Sequence, residues 1–92
     1  MIADFRYEAE PAPNQILLEL FWDDRDRMGR LVLPANVEDA MRIGGIAAAS
    51  ELPVVSALSF AVFVAGQSGR ALCVTGDRTV WLDRWGTLKL LQ

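Results

Sequence analysis

Hydrophobic and polar positions alternate with a period of two in the first third of the chain, the period of a half-buried strand. Ala3, Phe5 and Tyr7 share one face against Asp4, Arg6 and Glu8, so residues 2–8 read as a weak strand. Pro11-Ala12-Pro13-Asn14 breaks the pattern. It resumes more strongly over 15–23, with Ile16, Leu18, Leu20 and Trp22 on one side and Leu17, Glu19, Phe21 and Asp23 on the other. A polar stretch from Asp24 to Gly29 turns the chain into a short returning strand over 30–33, which Pro34 ends.

The period then lengthens. Asn36 is a good helix N-cap, and Glu38 and Asp39 put negative charge at the positive end of the helix dipole. These signals predict a helix over about 37–51, with Pro53 beyond its end. Val37, Ala40, Met41, Gly44, Ala48 and Leu52 line one face of it. That face is mostly small, and suits close approach to a sheet. Ile43 and Ile46 share the other face with Glu38, Asp39, Arg42 and Ser50. Residues 54–65 are apolar on both faces and rich in β-branched and aromatic side chains, and predict a central strand. Turn signals at 66–69, 76–78 and 84–86 separate expected strands at 70–75, 79–83 and 87–92, the spacing of an antiparallel meander. The expected architecture is α+β: a single domain over 1–92, a mostly antiparallel sheet of about five to six strands, and one helix, about 37–51, on one face.

Composition narrows the chemistry. Hydrophobic residues make up 52% and charged residues 23% of the 92, enough apolar material for a core without staples. There is no histidine, which removes Ser-His-Asp and Cys-His pairs and every zinc site that needs imidazole. Cys73 stands alone, so no disulfide forms within the chain; it reads as a small apolar filler in a reducing compartment. Asp4 occupies the place of a basic n-region and no apolar h-region follows it. Residues 52–69 are uncharged, but their apolar part, 54–66, is too short to cross a membrane as a helix. The expected location is cytoplasmic. Net charge is −3 and uneven: −3 over residues 1–30, −2 over 31–69 and +2 over 70–92. An acidic front argues against general nucleic-acid binding, which requires a phosphate-neutralising surface.

Each constellation that resembles a reactive site is incomplete. Aligning Asp24 and Asp26 with the first and third positions of a Ca²⁺ loop puts Gly29 at the sixth. Met28 then falls at the fifth, and Ala35 stands where a bidentate Glu is required. The cluster Asp23-Asp24-Arg25-Asp26 is therefore read as a solvated hairpin tip, with no metal. Gly66-Gln67-Ser68-Gly69 lacks the G-x-S-x-G spacing and any base for Ser68, and Lys89 alternates outward on a strand. No catalytic residue and no cofactor is expected.

Size, charge and missing chemistry together predict a non-enzymatic protein-binding module, a small acidic regulator or inhibitor. One concrete form is a phage- or mobile-element-encoded protein of the anti-CRISPR kind, whose acids meet the basic groove of a nucleic-acid-handling protein. The candidate partner-binding residues are Phe21, Asp23, Asp24, Asp26, Ile46 and Trp85, where apolar or aromatic side chains fall among charges or in turns. Two alternatives stand beside this. The small-residue run from Gly44 to Ala49 suits a self-associating subunit, most simply a homodimer. The C-terminal mixture of Arg70, Arg78, Trp81, Arg84, Trp85 and Lys89 suits single-stranded nucleic acid.

Overall fold

The computed structural model describes residues 4–12, 15–33 and 51–90. Six strands form one sheet: β1 (Asp4–Tyr7), β2 (Ile16–Asp23), β3 (Asp26–Val32), β4 (Glu51–Pro53), β5 (Leu72–Gly76) and β6 (Thr87–Leu90). Their spatial order is β4-β3-β2-β5-β1-β6. Among the described residues one α-helix, α1 (Val54–Ser68), packs on the sheet, so the class is α+β as the sequence predicts.

The position of the helix differs from expectation. Residues 37–50 of the expected helix lie outside the described residues, and Glu51, its last position, pairs with Arg30 in β4. The segment expected as a central strand is the helix itself. Pro53, with φ −51° and ψ 141°, is extended and starts it. Gly69, at φ 68°, ends it with its N–H donating to the Ala65 carbonyl at 3.0 Å. The buried positions Val54, Ala57, Ala61 and Val64 recur at helical spacing.

The expected alternation in β2 is observed. Ile16, Leu18 and Leu20 are buried on the helix side, and Leu17, Glu19 and Phe21 line the other face. Its hairpin is tighter than the polar stretch suggests. Asp23 pairs with Asp26, leaving a two-residue loop whose first residue, Asp24, takes φ 57°, a conformation short polar side chains tolerate. The returning strand thus begins at Asp26, and Gly29 lies within it.

Strand directions are mixed. β3 pairs antiparallel with β2 and β4, whereas β2–β5, β5–β1 and β1–β6 are parallel. The C-terminal meander is not formed. β5 inserts between β2 and β1, and residues expected as a strand at 79–83 fall instead in and between two 3₁₀ turns, Arg78–Val80 and Asp83–Trp85. Parallel neighbours need connections that run back along the sheet. Between β4 and β5 α1 supplies one, and between β5 and β6 the two 3₁₀ turns lie along another.

Two glycines set how closely these layers approach. A Cβ on Gly29 would lie 2.9 Å from both Ala57 Cβ and Leu18 Cδ1, so the helix rests on a bare patch of β3. A Cβ on Gly76 (φ 93°) would lie 2.8 Å from Leu20 N and closer still to its carbonyl oxygen. The Gly76 carbonyl also accepts the Tyr7 hydroxyl, which ties β1 to the same point. One core cluster gathers Tyr7, Leu18, Leu20, Val54, Ala57, Val74, Val80 and Trp81. A second gathers Ile16, Leu31, Leu33, Ala61 and Val64.

Substituting Gly29→Ala will force α1 off the sheet, because Ala57 Cβ is fixed to the helix backbone and has no rotamer to escape into. Urea denaturation should show a loss of about 1–3 kcal/mol, typical of overpacking a filled core. In a double-mutant cycle with Ala57→Gly the two changes should be strongly non-additive; additivity would mean the contact does not carry the packing.

Candidate functional site

A helix lying on a sheet ordinarily turns a polar face to water. α1 does not. Its 15 residues carry no charge, and its outward side presents Val55, Phe60, Val62 and Phe63 at 55%, 37%, 49% and 52% exposure. The rotation that causes this is set from below. With Ala57 seated on Gly29 and Val54, Ala61 and Val64 directed into the core, the opposite side must hold Val55, Ser59, Phe63 and Gly66. Phe63 stands near the centre of that row. Beside it an open groove of about 490 Å³ is lined by Val55, Ser56, Ser59, Phe60 and Phe63. The Ser59 hydroxyl donates to the Val55 carbonyl at 3.0 Å, so the groove floor offers little unmet polarity.

The candidate residues named from the sequence fall in separate places. Asp23, Asp24 and Asp26 are exposed together at the β2–β3 tip. Phe21 is half-buried on the sheet face away from α1, and the Arg30 guanidinium lies 5.2 Å from its ring centroid. Arg30 also bridges Glu19 and Glu51 at 2.8 Å each, pairs exposed enough to contribute little to stability. Trp85 is half-buried on the helix side, edge-on to Trp81 at 5.4 Å, and Trp81 is edge-on to Phe5 at the same distance. Ile46 lies outside the described residues. Phe21 and Trp85 therefore occupy opposite faces of the sheet. The outward row of α1 was not among the named residues, although its signal was present as the uncharged run from Leu52 to Gly69.

The sheet face away from α1 holds the polar chemistry. Glu8 and Ala9, which follow β1, lie against β5 there, and Thr75 Oγ1 reaches the Ala9 carbonyl. The fully buried Cys73 thiol donates to Glu8 at 3.3 Å. Burial pushes that thiol up to about 11, and the hydrogen bond and charge of Glu8 act in the same direction. At the other end of β5 the Thr79 hydroxyl and backbone N–H both donate to Asp77, holding its carboxyl below the usual range. The Thr79 hydroxyl in turn accepts from Trp22 Nε1 at 2.9 Å. Among the described residues no three of His, Cys, Asp and Glu converge as metal ligands. Nor is any helix there long and apolar enough to cross a membrane.

No protein-family model, no curated protein and no solved structure matches this chain.

The folded state disfavours the Cys73 thiolate. Its contribution to stability is therefore fully present below the ordinary thiol value of 9.0 and disappears as pH rises through about 11. Denaturant midpoints measured from pH 8 to 11 should fall more steeply for the natural chain than for Cys73→Ala. The difference should amount to no more than about 3 kcal/mol. Parallel slopes would show that the thiol is not held neutral.

Proposed function

We propose that this chain is a non-enzymatic protein-binding module that docks through the outward face of α1. The observation that carries the reading is Phe63: half exposed, central, and flanked along an uncharged helix by Val55, Val62 and Phe60. Scattered exposed apolar residues are ordinary, but a continuous row of them marks a surface that another macromolecule covers. A protein suits this face better than a bilayer. Interfacial helices carry Lys and Arg on their flanks to engage anionic lipid, and α1 carries none.

The acidic hairpin tip completes the picture of a small acidic regulator. It extends beyond the paired row of Phe21, Met28 and Pro53, at the end of the sheet where α1 begins. A partner seated on Phe63 and Phe60 would meet Asp23, Asp24 and Asp26 at its rim, where charge governs the approach and orientation of a partner more than strength. Nucleic acid is the less favoured partner, because the rings of Trp81 and Trp85 are engaged with each other instead of standing open for base stacking.

Placing a photoreactive amino acid at Val62, half exposed beside Phe63, tests this in the intact chain. Illumination in cells should convert part of the 10.2 kDa protein into a discrete larger adduct, and Phe63→Asp should abolish it without lowering the melting temperature. Recovery of the 10.2 kDa species alone would overturn the reading.

A further inference from the structure

We infer that the surface covering α1 is α1 of a second copy of this chain, arranged about a twofold axis so that Phe63 of each copy enters the groove over Ser56 and Ser59 of the other. This rests on the reading of α1 as the docking face and adds the identity of the occupant. Three observations carry it. The first is shape. An isologous contact needs a knob and a matching hollow on one surface. Here Phe63 and the groove over Ser56 and Ser59 lie on one row of the helix, about 8 Å apart along its axis at 1.5 Å per residue. The second is composition. Homodimer interfaces are the most apolar and the most depleted in charge at their centres. The whole of α1 is uncharged, and the hydroxyl of Ser59 is already occupied by Val55.

The third observation is the distribution of charge. A twofold axis near mid-helix makes the two helices antiparallel, so the positive end of each dipole lies beside the negative end of the other. The same axis brings the tip, which stands at the start of α1 and is net acidic with Asp23, Asp24 and Asp26 against Arg25 and Arg27, toward the end where Arg70 follows the other copy's helix. A net negative tip thus lies toward a positively charged residue at both ends of the pair. The area sets its strength. A helix of 15 residues is about 22 Å long and offers a stripe of a few hundred Å². Stable interfaces cover about 800 Å² per partner. The dimer is therefore weak and reversible, forming as concentration rises.

Sedimentation equilibrium over about 10 μM to 1 mM, a span chosen to cover weak affinities, reads this directly. The average mass should climb from 10.2 kDa toward twice that value. Phe63→Lys and Ser59→Asp, both at exposed positions, should each remain at 10.2 kDa with an unchanged circular dichroism spectrum. Mixing the two variants should restore a dimer. In that mixed pair one native Phe63–Ser59 contact remains, and the other becomes Lys against Asp. A natural chain that stays at 10.2 kDa throughout, a dimer that survives Phe63→Lys, or a mixture that fails to pair overturns the proposal. The photoadduct separates the two readings. An adduct with a different protein removes the second copy but keeps the docking face, and no adduct removes both.

Discussion

The seat of α1 on the bare backbone at Gly29 governs the rest of this molecule. A helix whose own buried residues are none larger than valine must lie close to the strands it covers, and the missing side chain of Gly29 lets Ala57 fill that space. Depth and rotation are then fixed together. Once Ala57 points into the sheet, Val54, Ala61 and Val64 follow it into the core, while Phe63 and Ser59 have nowhere to go but outward. The exposed apolar row is thus a consequence of how the core is closed.

The sheet treats its two faces differently. Toward α1 it is apolar and continuous, from Leu31 through Leu18 and Val74 to Tyr7. Toward the other side it mixes apolar side chains such as Leu17, Phe21 and Val32 with polar groups held by short-range pairings. Glu8 is the busiest of these groups: its carboxylate meets Arg6, Gln15 and the Cys73 thiol. That arrangement pins Glu8 against β5 and shields a thiol that would otherwise face water. Charge is thereby concentrated on the face, tip and edges of the sheet, and α1 is left without any.

How much of this was legible in the chain depends on whether local pattern carried the information. In β2 it did: one face meets the core and the other does not, so alternation is strong and its phase is correct at Ile16, Leu18 and Leu20. In α1 it did not. A segment apolar on both sides shows no periodicity of 3.6, and four valines and two phenylalanines favour a strand by local preference. Length and the flanking pair Pro53 and Gly69 were the signals that pointed to a helix. The outward row was hidden for the same reason, since without a 3.6 period no outward face stands out. Phe21 and the acidic tip, in contrast, were legible as side chains in a polar setting. The parallel ladders of β5 and β6 have no local signature, since turn spacing reports where a chain bends and not which strand it joins.

The placement of β1 has a further consequence for how the chain acquires its fold. This strand is the first of the six in chain order, yet Arg6 pairs with Cys73 on one side and with Lys89 on the other. Both neighbours come after β2, β3, β4 and α1 in the chain. The β2–β3 hairpin can organise early from contacts close in sequence, but β1 must wait, unpaired, for residues 72–90 to arrive. Closing such long loops slows folding, and an idle strand edge invites the wrong partner. The sheet can therefore close around its first strand only once its last two have been made.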